Sequence, residues 1–394
     1  MKLNSLIAAT AAAAALLGGV AAQAQEQEVR IGLLTTLTGP LAPLGQHVRD
    51  GFNLAVEEAG GKLGGVTTKV VVEDDQLRPD VAVQLATKLA ERDKIQILTG
   101  VIFSNVAMAA LKPAVENKVF FISPNAGPSQ LAGKQCSPWF YATAWQNDQP
   151  HEAMGAHLQA SGVKKVYLVA PNYNAGKDAM RGFKGAYKGT IAGESYPSMN
   201  QLDFAAEISQ IRAAKPDAVY VFLSGGMGVN FTKQYAQARL GAEIPMYSAF
   251  TIDAITLPAV GEAAVGTFQS NLWNADLKIP ANEKFVAAFQ KKYGYLPSNY
   301  AAQSYDTARL IGAALRLSGG KADDKKAFAA ALRNAKFESV RGPFAFNSNN
   351  FPVGNFYLLE TVKRAGGKVE QVTRKTILTN AKDNYFGDCN MAGL

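Results

Sequence analysis

Histidine and cysteine are scarce in this chain, with three of the first and two of the second in 394 residues. His47, His151 and His157 form neither an H-E-x-x-H pair nor a His/Cys group at metal-ligand spacing, which argues against a zinc enzyme. No G-x-S-x-G elbow is present. "GGMGVNF" lacks the third glycine of a dinucleotide fingerprint, so Gly226 and Gly228 read as close backbone approach in a loop, and a Rossmann-type enzyme with a bound nucleotide is disfavoured. Lys and Arg outnumber Asp and Glu by 40 to 32, but they are scattered, as in "KGAYKG" and "FQKKYG". The basic clusters interleaved with aromatics that nucleic-acid binding calls for are missing, so the charge reads as a solvated surface. Beyond the N-terminal segment, nothing approaches the roughly 20 consecutive apolar residues of a membrane span.

Residues 1–24 carry Lys2, a run of Ala and Leu, and an Ala-x-Ala end. That is the pattern of a secretory signal peptide cleaved after about Ala24. No cysteine follows the site, so export without a lipid anchor is expected. Cys136 in "GKQCSPWF" and Cys389 in "FGDCNMAGL" then share an oxidising compartment. The simplest reading is one disulfide tying the C-terminal tail to the body; the alternative is two free buried thiols.

What is present is a globular composition, 48% hydrophobic and 18% charged, over a length suited to two or three domains. Apolar strands alternate with helical spacing. "TKVVVEDD" reads as a strand and "RPDVAVQLATKLAERD" as a helix with Ala82, Leu85, Ala86 and Leu89 on one face. "KIQILTG", a helix to about Asn117, and "KVFFISP" continue the alternation, which implies parallel sheets with helices on both faces, an α/β fold. After "WQNDQPHEAMGAHLQASG" the pattern restarts with "KKVYLVAPNYNAGKDAMRGF". Two Rossmann-like lobes are expected, with a ligand cleft between them at the carboxyl ends of the strands.

The loop "TTLTGPLAPLG" follows the first strand and either lines that cleft or only shapes a strand-to-helix connection. His47 beside it reads as a surface residue, or else as a donor at the cleft edge. Glu73 to Asp75 read as solvated or capping carboxylates. Ser104 and Asn105 stand where a strand becomes a helix, where hydroxyl, amide and free N–H groups meet an anion, or where a serine simply caps.

"VRIGLLTTLTGPLAPLGQHVRDGFNLAVEEAGG", "VVVEDDQLRPDVAVQLATKL", "ILTGVIFSNVAMAA", "FFISPNAG" and "AQSYDTARLIGAAL", in that order, resemble the leucine/isoleucine/valine-binding family of periplasmic solute receptors for ABC importers. The similarity runs from about Glu28 to at least Val353. It implies lobes joined by three crossovers, placed near Trp145 to Pro150, Leu272 to Asp276 and Ser348 to Gly354. Lobe 1 would then take 25–147 and 275–350, and lobe 2 would take 148–274 and 351–394. The resemblance implies that Ser104 meets a ligand carboxylate, with Ser123, Asn125, Ala126 and Gly127 on the neighbouring loop. On the second lobe it offers Tyr173, Asn174, Ala175, Gly226, Met227 and Phe250.

Departures from the family bear on the ligand. Phe250 falls near the acid that holds an amino acid's ammonium, Gly127 replaces a Thr, and Leu44 replaces an aromatic residue; Asp253 remains a possible substitute for the missing charge. With Leu44, Phe103, Met227 and Phe250 as apolar surface, the expectation is a periplasmic, monomeric solute-binding protein without cofactor or enzymatic activity. It would serve a membrane permease and close over a small carboxylate, an aromatic acid of benzoate or coumarate type. A branched-chain amino acid receptor and a ligand-sensing subunit for a signalling partner are the alternatives.

Overall fold

The computed structural model describes residues 27–391; the expected signal peptide lies outside them. The first sheet contains β1 (Glu28–Thr35), β2 (Lys62–Leu63), β3 (Val66–Asp74), β4 (Ile97–Thr99), β5 (Phe120–Ser123) and β6 (Phe140–Ala142), in the order β2-β3-β1-β4-β5-β6. All pairs are parallel except β2 with β3. β1 sits between β3 and β4 and buries Ile31, Leu33 and Leu34 completely, as a strand covered by helices on both faces should.

The second sheet is built from β7 (Lys165–Val169), β8 (Thr190–Ser195), β9 (Ala218–Val221), β10 (Met246–Ala249), β11 (Phe268–Asn271), β12 (Ala345–Phe346), β13 (Pro352–Lys363) and β14 (Val369–Ala381). From β7 to β11 the pairing is parallel, in the spatial order β8-β7-β9-β10-β11. β13 then joins β11 antiparallel, flanked by β12 and by β14 in a long hairpin. That antiparallel edge departs from the strand-and-helix alternation. The molecule is thus a mixed α/β fold of two lobes, each with a mostly parallel sheet.

The restart of the pattern has a physical counterpart in two glycines. A Cβ on Gly45 would lie 1.8 Å from Thr36 O, and one on Gly176 would lie 1.7 Å from Pro171 O. In both lobes the loop leaving the first strand is packed directly against the helix that follows, an approach only glycine permits. Asp74 and Asp75 hold the same loop in the first lobe. Asp74 Oδ1 accepts from Leu37 N at 2.8 Å, and Asp75 Oδ1 accepts from Thr36 Oγ1 at 2.6 Å. The carboxylates after β3 therefore cap a loop.

The helix Asn299–Leu317 lies along Ala42–Glu58 with backbones so close that a Cβ on Gly51 would sit 2.2 Å from Ala301 O. Its Asp306 is fully buried and accepts from Ser339 Oγ (2.6 Å), Val340 N (3.0 Å) and Arg341 Nε (2.9 Å). Arg341 also donates to Thr143 O and Ala144 O, tethering the chain where it leaves the first sheet. Cys136 and Cys389 form a disulfide with Cα atoms 5.6 Å apart. The tail after β14 thereby returns to the first lobe, and Tyr385 donates to Asp148 Oδ2 at 2.7 Å on the way. Among the described residues no helix is long and apolar enough to cross a membrane.

Candidate functional site

The helix Ser104–Glu116 begins immediately after the loop following β4, and no side chain caps its N-terminus. Its first N–H groups are left for an outside acceptor. Ser104 is buried; its Oγ accepts from Asn147 Nδ2 at 3.0 Å, leaving its own proton free to donate. Around it the two lobes enclose a cavity of about 30 Å³, room for one or two waters. The first lobe supplies Ile102, Phe103, Ser104, Asn125 and Tyr300. The segment between the sheets supplies Trp145 and Asn147, and the second lobe supplies His151, Tyr173, Ala175, Phe222, Ser224 and Phe250.

These walls are aromatic and carry no Asp, Glu, Lys or Arg. Trp145 stacks on Phe250 with centroids 4.5 Å apart, Phe222 meets Phe250 edge-on at 6.1 Å, and Phe103 and Tyr173 face each other across the lobes at 6.3 Å. Phe250 adopts φ +57°, a region that bulky side chains seldom occupy. That strain is held in the wall of the cleft, where strained residues tend to collect.

Burial governs the titratable groups. It pushes the Tyr173 and Tyr300 phenols up, so both are hydroxyl donors at any working pH. It pushes His151 down to about 3, so the imidazole is neutral. Asp253 does not line the cavity. Its Oδ1 accepts from Ile255 N (2.8 Å) and Thr256 N (2.9 Å), and burial raises it to about 6. It caps its own turn and supplies no charge to the cavity wall.

Several expected residues lie outside this cavity. Leu44 is buried in the first-lobe core and faces Gly225 of the second lobe, where a Cβ would be 3.1 Å from it. Met227 packs in the second-lobe core with Leu223 and Phe231. Ser123 donates to Ala126 O at 2.7 Å within its own turn, and Ala126 is core. Gly127 N donates to Asn147 Oδ1 at 3.1 Å, and a Cβ there would meet Trp145 O at 2.2 Å. Asn105 and Asn174 sit in the first turns of their helices and do not line the space. Gly226 starts the helix Gly226–Gln237.

His47, expected at the surface, is buried. Its Nδ1 accepts from Ser298 N at 3.2 Å, its ring packs against Tyr295, and burial lowers it to about 4. The sequence reading also missed Ile102, Trp145, Asn147, His151, Phe222, Ser224 and Tyr300. An aromatic residue at the start of the stretch read as a hinge, "WQNDQP", and an imidazole immediately after it were the available signal.

Behind the cavity the lobes are fastened directly. Asp178 of the second lobe accepts from Ser129 N (3.2 Å) and Ser129 Oγ (2.9 Å) of the first, and from Asn147 Nδ2 (2.9 Å). Arg181 pairs with both Asp178 and Asp148. Glu152 stands at the edge of this acidic group, and burial, aided by Asp148, raises it to about 7 from 4.5. Its protonated form is favoured in the folded state, so the stability it contributes is present below pH 4.5 and lost as pH rises through 7. Glu152→Gln, neutral at every pH, is therefore expected to resist urea better than the wild type above pH 7 and to converge with it in acid. Parallel curves of urea midpoint against pH would refute this.

A family model described as "Periplasmic binding protein" matches residues 28–368. The chain is 29% identical to a Leu/Ile/Val-binding protein homologue of Brucella melitensis over 92% of its own length and 94% of that protein's. Its structure is similar to a solute-binding protein of an R. palustris ABC transporter in complex with benzoate, with a TM-score of 0.86 and 34% identity over 92% of this chain and 99% of that one. It is also similar to a solute-binding protein from Rhodopseudomonas palustris BisB5 in complex with 3,4-dihydroxybenzoic acid, with a TM-score of 0.86 and 30% identity over 91% and 99%.

Proposed function

The chain belongs to the periplasmic binding protein family, and from that premise we propose that it is the receptor of an ABC importer that closes its lobes over an aromatic carboxylate. It works in the periplasm and hands its ligand to a membrane permease. The observation that carries the ligand class is the cavity wall, aromatic on both lobes and without a charged side chain. An ammonium buried there would lack a partner at a cost of several kcal/mol, which disfavours an amino acid. A carboxylate has Ser104 and the uncapped helix start, and a planar ring gains offset or edge contacts from Trp145, Phe222 and Phe250. The ring enters while the lobes stand apart, and contacts made on both lobes at once shift the population toward the closed form. The relatives in complex with benzoate and 3,4-dihydroxybenzoic acid support the same class.

Calorimetric titration of ligand-stripped protein with benzoate, 4-hydroxybenzoate, coumarate and leucine tests it. Binding of at least one aromatic acid and none of leucine is expected, and Ser104→Ala should weaken the acid by about 1.5–3 kcal/mol, as for a hydrogen bond to a charged group. Tight leucine binding with no response to any aromatic acid would overturn the assignment.

A further inference from the structure

The cavity wall carries an acceptor that the protein itself leaves unused. Asn125 lines the cavity, and its Nδ2 donates to Ile102 O at 2.8 Å. That bond fixes the orientation of the amide, because a flipped amide would set two oxygens against each other. Oδ1 is consequently the free end, and it is buried with no hydrogen-bond partner. Oδ1 is an acceptor and does not meet a carboxylate oxygen; on Asn125 only the second N–H of Nδ2 could do that.

We propose that the ligand carries a hydroxyl besides its carboxylate and donates it to Asn125 Oδ1, so that hydroxylated aromatic acids are the preferred substrates over benzoate itself. This rests on the aromatic-acid reading above. The physical reason is asymmetric: a buried acceptor left unpaired by the ligand forfeits the hydrogen bond that water makes to it in the open cleft, whereas a ligand hydroxyl replaces that bond. Sites built around such a group discriminate against the analogue that lacks it.

The test is a calorimetric series on the wild-type protein using benzoate, the 2-, 3- and 4-hydroxybenzoates and the matching fluorobenzoates, which resemble the hydroxy acids in size but cannot donate. One hydroxy isomer is expected to bind about 10- to 100-fold tighter than benzoate and than its own fluoro analogue. Asn125→Ala should shrink that ratio to within about threefold. Because the series is read on wild type, the result does not depend on the variant folding. Benzoate or a fluoro analogue binding as tightly as every hydroxy isomer would overturn the proposal while leaving the aromatic-acid reading intact. A ratio unchanged in Asn125→Ala would overturn the assignment to this residue. Leucine binding with no aromatic response would remove both readings.

Discussion

Asp306→Ala should lower the free energy of unfolding by about 3–5 kcal/mol, the usual cost of breaking a buried ion pair from one side. Asp306 is wholly inaccessible, and Arg341, its partner at 2.9 Å, is only 10% exposed. Removing the carboxylate strands a guanidinium in the interior and leaves Ser339 Oγ and Val340 N without their acceptor. Nothing in the substituted side chain compensates. Urea unfolding should show the loss as a lower midpoint at an unchanged slope. Because Arg341 also holds the carbonyls of Thr143 and Ala144, just before Trp145, the surviving folded fraction should bind its ligand more weakly. A midpoint shift worth less than about 1 kcal/mol would show that the arginine finds another partner or water, contrary to the geometry.

Replacing both Cys136 and Cys389 with serine should cost about 5–6 kcal/mol on loop-entropy estimates, since the bridged residues are 253 apart. The bond also joins pieces of different lobes: β14 belongs to the second sheet, and Cys136 follows β5 of the first. Without it the tail is held by side-chain contacts such as Tyr385 with Asp148 and Asn349 with Asp383. The double serine variant and the non-reduced wild type should therefore separate widely in urea. Coincident transitions, or two reactive thiols in the unfolded and unreduced wild type, would refute the expectation.

The fold was legible in the sequence where local signals repeat. The alternation of apolar strands with helices from "VRIGLLT" onward predicts parallel sheets, and both lobes spend a glycine, Gly45 and Gly176, on the same tight turn. The antiparallel hairpin of β13 and β14 was not foreseen, because its strands are partly exposed and its pairing with β11 spans roughly 90 residues of chain. The cavity divides along the same line. Phe103, Ser104, Asn125, Tyr173 and Phe250 sit on loops after strands, where the fold rule and the family resemblance both point. Tyr300 reaches the cavity from the start of a distant helix, and no local pattern announces that. Trp145 opens, and His151 immediately follows, a segment whose proline and amides looked like a hinge. Leu44 and Met227 have the right apolar character, but periodicity does not separate a helix face turned to a cleft from one turned to the core. Asn125 shows a further gap. Its position is readable in the sequence, but which end of its amide stays free depends on Ile102 O, a contact known only once the chain is folded.

The hydrogen bonds from Ser129 to Asp178 cross between the lobes. Part of what holds the lobes against each other is therefore supplied by the protein's own side chains. In the receptor proposed above, delivery then has two parts: giving up the ligand and parting a serine and an aspartate that the protein pairs by itself. A transporter that opens such a receptor works against the receptor's own bonds as well as against the ligand's.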